Sequence, residues 1–173
     1  AGTGGAIFSN NNTITVIVGG SSFNGNNATV SGGAIYSNGK VETTNVDFTS
    51  NNATVSGGAI FSNNTLTTTG GTFTNNTATT SGGALYSNNN VTTTNVNFIN
   101  NNAGTYGGAI YSVGNVSTIK SSYVNNTAGT SGGAIYTSQN VTVNGTTFTG
   151  NIVKSSTGTT TGGAIYANDS ALI

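Results

Sequence analysis

The chain of 173 residues contains no cysteine, histidine, methionine, tryptophan or proline. Without thiols or imidazoles it has no disulfide, no thiolate or histidine metal site, and no cysteine or histidine nucleophile or base. We therefore expect neither a metal nor another cofactor.

Charge is equally scarce, because the only cations are three lysines and charged residues make up 3% of the chain. Nucleic-acid binding needs clustered Lys or Arg to displace counterions, so nucleic acid is excluded as a partner. No apolar run approaches the roughly 20 residues of a membrane-spanning helix. We expect no membrane insertion.

The three carboxylates are Glu42, Asp47 and Asp169. Carbohydrate-active enzymes use paired carboxylates or bound calcium, and only Glu42 and Asp47 lie close in sequence. Their spacing across a strand and a corner favours two separate solvated charges. We therefore predict no catalytic residues and no metal ligands, and we keep a carbohydrate-active enzyme as the least favoured alternative.

Two short strings recur along the chain. The string GGA[IL][YF] begins at Gly4, Gly32, Gly57, Gly82, Gly107, Gly132 and Gly162. An aromatic-x-x-Asn string begins at Phe23, Phe48, Phe73, Phe98, Tyr123 and Phe148, with a constant step of 25 residues. The longer steps of the first string predict loop insertions near 13–18 and 154–161. Such a fixed period argues against a disordered low-complexity chain.

A third segment begins with an aliphatic residue in the middle units, as in VETTN at Val41 and VTTTN at Val91. Each unit thus reads as three extended segments rich in β-branched and aromatic residues, separated by Gly and Asn at left-handed corners. The sequence predicts an all-β, parallel β-helix (solenoid) of about seven coils of about 25 residues, with three short strands per coil. Residues 1–173 form one such domain, which we expect to be a segment of a longer solenoid or a polymerising subunit.

Stacked coils turn each repeated position into a column of equivalent side chains. We predict three inward columns, which are Ile7, Ile35, Ile60, Leu85, Ile110, Ile135 and Ile165; Val41, Leu66, Val91, Val116 and Val141; and the aromatic residues of the second string. The small residues Ala28, Ala53, Ala78, Ala103 and Ala128 should fill a corner. The predicted structural ladder of side-chain amides consists of Asn26, Asn51, Asn76, Asn101, Asn126 and Asn151.

An aromatic residue follows each aliphatic residue of the first column, so strand alternation points it outward. These residues form a candidate interaction stripe: Phe8, Tyr36, Phe61, Tyr86, Tyr111, Tyr136 and Tyr166. A continuous aromatic stripe on a protein surface indicates a contact site. A flanking segment that covers the stripe is the other interpretation.

The alternation of GGA[IL] with aromatic-x-x-Asn, from Gly4 to Tyr166, resembles the repeat of the chlamydial polymorphic membrane proteins and related surface proteins. The resemblance implies a right-handed β-helix in a secreted or cell-surface region, often with an adhesive role. We therefore expect a non-catalytic, extracellular structural or adhesive protein. Its expected partners are other copies, joined end to end or side by side into filaments or layers, and host-cell or glycan ligands.

An ice-binding solenoid is the second hypothesis, because such proteins use flat, uncharged faces with rows of threonine. The candidate face contains Thr44, Thr67, Thr69, Thr92, Thr94 and Thr142. Glu42 and Ile119 interrupt the two predicted columns, and threonine is also a common strand residue.

Overall fold

The computed structural model describes residues 2–13, 15–155 and 161–173. Within these residues the chain forms 26 short strands, numbered in chain order, and no helix. The predicted insertions near 13–18 and 154–161 each include residues outside that description.

Two parallel sheets contain seven strands each. Sheet 1 consists of β1 (Ile7–Ser9), β5 (Ile35–Ser37), β9 (Ile60–Ser62), β13 (Leu85–Ser87), β17 (Ile110–Ser112), β21 (Ile135–Thr137) and β25 (Ile165–Ala167). Sheet 2 consists of β2 (Val16–Gly19), β6 (Val41–Thr44), β10 (Leu66–Thr69), β14 (Val91–Thr94), β18 (Val116–Ile119), β22 (Val141–Asn144) and β26 (Ala171–Leu172).

Two further parallel sheets contain six strands each. Sheet 3 consists of β3 (Ser22–Asn24), β7 (Asp47–Thr49), β11 (Thr72–Thr74), β15 (Asn97–Ile99), β19 (Ser122–Val124) and β23 (Thr147–Thr149). Sheet 4 consists of β4 (Asn27–Ala28), β8 (Asn52–Ala53), β12 (Thr77–Ala78), β16 (Asn102–Ala103), β20 (Thr127–Ala128) and β24 (Ile152–Val153).

The structure confirms a parallel solenoid with coils of about 25 residues and corrects the number of strands per coil from three to four. Sheets 3 and 4 each have six strands, so six coils have all four strands. The sequence prediction missed sheet 4 because its strands are only two residues long. The buried alanines predicted to fill a corner, such as Ala53 and Ala78, lie in these strands.

Equivalent residues of successive coils stack directly on each other. In sheet 1, Ile35 pairs with Ile60 and Tyr36 with Phe61, and the same register continues through the sheet. The three predicted inward columns form the core: all their members in the second to the fifth coil are at most 1% exposed, and in the sixth coil only Phe148 is partly exposed. Each fully buried side chain of this size contributes about 1.5–3 kcal/mol of hydrophobic stabilisation.

The corners depend on left-handed backbone, as predicted from their Gly and Asn content. Asn95 has φ 55° after sheet 2, Asn100 has φ 54° after sheet 3, and Gly32 has φ 68° before sheet 1. The glycine after Gly32 has a different role, because a Cβ on Gly33 would collide with the carbonyl oxygen of Gly58 in the next coil. The repeated Gly pair therefore combines one conformational requirement with one close backbone approach.

Candidate interaction surface

The candidate interaction stripe lies on the outer face of sheet 1. Each of its rings alternates with a core residue, as Tyr86 does with buried Leu85 and Ser87. Successive rings stack with centroids 4.7–5.5 Å apart and interplanar angles of 1–25°. The stripe is therefore one unbroken ladder of seven rings.

Stacking determines which part of each ring is exposed to solvent and can contact a partner. The inner members are half-buried because their neighbours cover both ring faces, whereas Phe8 at the first coil is 54% exposed. The inner rings present mainly their edges and hydroxyl groups to solvent. Burial, followed by the charge of neighbouring Tyr111, raises the pKa of Tyr86 and of Tyr136, so both stay neutral phenols well above neutral pH.

Tyr106 adds an eighth ring to this surface from a different column. The equivalent corner positions in neighbouring coils are occupied by Ser81 and Ser131. The Tyr106 ring lies 4.9 Å from that of Tyr136 and 6.4 Å from that of Tyr111, tilted by 39° and 38° respectively. It packs against the stripe without joining its parallel stack.

A surface ladder of asparagines runs beside the stripe, two positions after the ring in each of the first four coils. Asn38 donates its amide hydrogen to Asn10 (2.8 Å), Asn63 to Asn38 (2.6 Å) and Asn88 to Asn63 (2.6 Å). Asn63 also donates to the hydroxyl of Tyr36 (3.1 Å), which links the amides to the rings. Sequence analysis missed this ladder because Val113 and Ser138 interrupt the column. The asparagine after IFS, IYS or LYS was the available signal.

A second surface ladder stands at the corner before sheet 2. The side-chain oxygen of Asn90 accepts from the backbone N–H of Asn115 (2.8 Å), and that of Asn115 accepts from the amide of Asn140 (3.1 Å). The repeated Asn-Val-Thr or Asn-Val-Ser motif was the signal for it. With the stripe and the first surface ladder, it forms a flank of rings and amides.

The predicted amide ladder from Asn26 to Asn151 lies inside the solenoid. Asn76 donates to the side-chain oxygen of Asn101 (3.0 Å) and to the carbonyl oxygen of Phe48 (2.9 Å). Its own side-chain oxygen accepts from the amide and the backbone N–H of Asn51 (both 3.0 Å). All hydrogen-bonding groups of this buried side chain are thus used within the chain, which leaves none for a ligand.

The candidate threonine face lies on the outer side of sheet 2. Thr44, Thr69 and Thr142 are exposed, whereas Thr67, Thr92 and Thr94 are half-buried. One column contains Glu42, Thr67, Thr92, Ser117 and Thr142, and the other contains Thr44, Thr69, Thr94, Ile119 and Asn144. The pairing puts Glu42 and Ile119 directly within the two columns.

A third column of sheet 2, not identified from the sequence, points inward: Thr43, Thr68, Thr93 and Thr118. The hydroxyl of buried Tyr123 donates to Thr118 (3.2 Å) and is 3.3 Å from the hydroxyl of Thr93. Thr68 Oγ1 is buried without a partner. In the coils around Thr68, the column of Tyr123 contains phenylalanine, which has no hydroxyl group to bond to Thr68.

Charged side chains form no cluster on any of these faces. Asp47 accepts from the backbone N–H (2.9 Å) and the hydroxyl (2.8 Å) of Thr72, so its carboxylate takes part in the stacking of two coils. The described residues include no group of three or more acidic, cysteine or histidine side chains arranged to bind a metal ion. They also include no helix long and apolar enough to cross a membrane.

Comparisons with known proteins agree with the geometry of the coils. The Chlamydia polymorphic membrane protein (Chlamydia_PMP) repeat matches six segments of the chain, residues 20–38, 45–63, 70–88, 95–113, 124–138 and 145–168. No curated protein and no solved structure matches the chain. The six segments cover more than half of the sequence and follow the structural coils. The chain therefore belongs to the Chlamydia polymorphic membrane protein repeat family.

Proposed function

We propose that the chain is a non-catalytic structural rod at the cell surface, and that it associates side by side with identical rods through the flank of rings and amides. The observation that carries the proposal is the continuity of the stripe of rings in this flank, and no charged residue occurs in any strand of sheet 1. The family is one of surface-type repeat proteins, which supports the location.

The chemistry of the flank favours a second copy as the partner. Its rings and amides repeat at the rise of one coil, and another rod of the same family has the same repeat. Amide side chains carry both donors and acceptors, so two identical surfaces can bond to each other. The chain has three positive and three negative residues, so charge repulsion between copies is weak.

The stacked rings make a sugar ligand a less favoured partner for the stripe. A sugar packs its apolar face on an exposed aromatic face. Here the faces of the inner rings are covered by other rings, and only edges and hydroxyl groups remain. Adhesion to a host-cell ligand is therefore a secondary proposal, to be tested by binding to glycan arrays and cultured cells.

Sedimentation velocity over a range of protein concentrations tests self-association directly. We expect reversible association that weakens in a Tyr86→Lys/Tyr136→Lys variant, because the introduced charges face each other across the contact. A Thr67→Lys/Thr142→Lys variant adds the same charge to sheet 2 and should associate like the original chain. Equal association of both variants, or a monomer at every concentration, would contradict the proposal.

Electron microscopy then distinguishes the possible assemblies. Laterally paired rods or layers agree with contact through the flank. Filaments one rod wide would replace this proposal with the end-to-end assembly that we expected as an alternative from the sequence.

Ice binding remains a second candidate function because the threonine columns of sheet 2 are in register. Thermal hysteresis of the purified chain measures it, with a Thr69→Lys/Thr94→Lys variant as the comparison. Hysteresis that is lost in this variant would support ice binding, and its absence from the original chain would exclude it.

A further inference from the structure

Tyrosine is the most readily oxidised side chain in this protein, because cysteine, methionine, tryptophan and histidine are all absent. The tyrosines are also unevenly placed. Tyr36 stacks between Phe8 and Phe61, whereas Tyr86, Tyr111, Tyr136 and Tyr166 are consecutive members of the ladder. One-electron oxidation of the later coils therefore generates phenoxyl radicals next to other phenols.

Ring orientation decides which of these phenols can couple. Two phenoxyl radicals join through carbons next to their hydroxyl groups, so the two rings must meet edge to edge. Tyr111 and Tyr136 are held face to face, with an interplanar angle of 3°. The Tyr106 ring is tilted by 39° against Tyr136 at a centroid distance of 4.9 Å.

Tyr106 also lacks the parallel stacking that fixes the rings of the stripe. Its column neighbours Ser81 and Ser131 have no rings that could hold it in a stack, and it is half-buried at a corner. Tyr136 is half-buried as well, so an oxidant in solution can reach both residues. Tyr123 provides an internal contrast, because it is fully buried and bonded to threonines.

We propose that Tyr106 and Tyr136 form an oxidative cross-linking site, at which a haem peroxidase and hydrogen peroxide produce a dityrosine bond between two successive coils. Each phenol loses one electron and one proton, the two radicals form a carbon–carbon bond, and the ring hydrogens at the bond move to the phenol oxygens. The chain loses two hydrogen atoms, and one peroxide is reduced to two waters. The bond joins coils in a chain that has no cysteine for a disulfide, and it does not depend on the proposed self-association.

The lysines make the site easy to map. Cleavage after Lys40, Lys120 and Lys154 puts Tyr106 in peptide 41–120 and Tyr136 in peptide 121–154. After treatment of the folded chain with peroxidase and peroxide, we expect dityrosine fluorescence and one joined species of these two peptides, lighter by two hydrogens than their sum. The yield should not change on dilution, because the bond forms within one molecule.

Two variants that each remove one hydroxyl group distinguish cross-linking at Tyr106 from cross-linking between the rings of the stripe. Tyr106→Phe should lose the joined peptides, whereas Tyr111→Phe should retain them. Persistence of the species in Tyr106→Phe, its absence from the original chain, or an equal yield from the denatured chain would overturn the proposal. Links that form only between molecules, and disappear on dilution, would also overturn it. The cross-linked chain should melt at a higher temperature than the untreated chain, because the bond restricts its unfolded state.

Discussion

The buried and the surface asparagine ladders use the same side chain at the same coil spacing, in two different environments. Asn76 lies fully inside the wall and has four hydrogen-bond contacts with neighbouring coils, whereas exposed Asn63 bonds to its neighbours in the presence of water. The aromatic residues show the same contrast, since Phe73 is completely buried and Phe61 is half-buried. A repeat can therefore create equivalent columns whose contributions to stability differ, because water replaces lost hydrogen bonds only at the surface.

The largest expected effect comes from placing a charge inside the wall. Leu85→Asp puts a carboxylate into the aliphatic column without a nearby cation, and it should destabilise the fold by about 5 kcal/mol or more. Asn97→Asp is the matched control, because Asp47 occupies the equivalent outer position two coils earlier. Chemical denaturation measures both variants. Equal stability of the two would show that the Leu85 column is not buried.

The asparagine ladders can be compared by removing one amide from each. Asn76→Ala leaves the buried amide of Asn51 and the carbonyl of Phe48 without their partners, which should cost about 3 kcal/mol. Asn63→Ala should change the free energy of unfolding by less than about 0.5 kcal/mol, because water bonds to the groups left behind. Urea unfolding of both variants measures the difference. Similar losses in the two variants would remove the distinction between the ladders.

Tyrosine titration sharpens the contrast between buried and surface rings. Burial raises the pKa of Tyr123 from 10.0 to about 12, although its hydrogen bonds with Thr118 and Thr93 oppose the shift. The folded chain therefore binds more protons than the unfolded chain between these values, and stability falls as pH rises through them. The loss due to Tyr123 approaches about 3 kcal/mol above pH 12.

Denaturation at a series of pH values, with phenolate absorbance followed in parallel, checks this prediction. Tyr123→Phe should flatten the part of the pH dependence that belongs to the buried phenol. An unchanged dependence in that variant would assign the loss of stability to the surface tyrosines.

The smallest expected effect concerns two members of the inward threonine column. Thr68→Val removes an unpaired buried hydroxyl group and should stabilise the chain by about 1 kcal/mol. Thr118→Val should destabilise it by about the same amount, because Tyr123 loses its acceptor. Thermal unfolding with calorimetry compares the pair. Shifts of the same sign would show that the hydroxyl partners do not determine the stability of this column.

Some of the site follows from the sequence and some does not. The stripe of seven rings could be predicted, because strand alternation puts Tyr86 on the opposite side from Leu85. The surface asparagine ladders were missed because their columns are interrupted, and their amides are recognisable only once Asn63 lies above Asn38. The tilt of Tyr106 against Tyr136 could not be predicted from the sequence either, because these residues are 30 positions apart and belong to different columns.

The period of 25 residues, with its aliphatic, aromatic and asparagine positions, was enough by itself to determine a parallel solenoid and the composition of its core. That period specifies which residues repeat, and stacking of identical coils then follows from the burial of the repeated apolar positions. The tertiary structure alone determined the fourth sheet, the lack of a partner for the buried hydroxyl of Thr68 and the unequal burial of like residues. These features depend on how the chain turns at each corner, and because left-handed corners occur at Asn, Ser, Lys and Gly, residue type alone does not locate them.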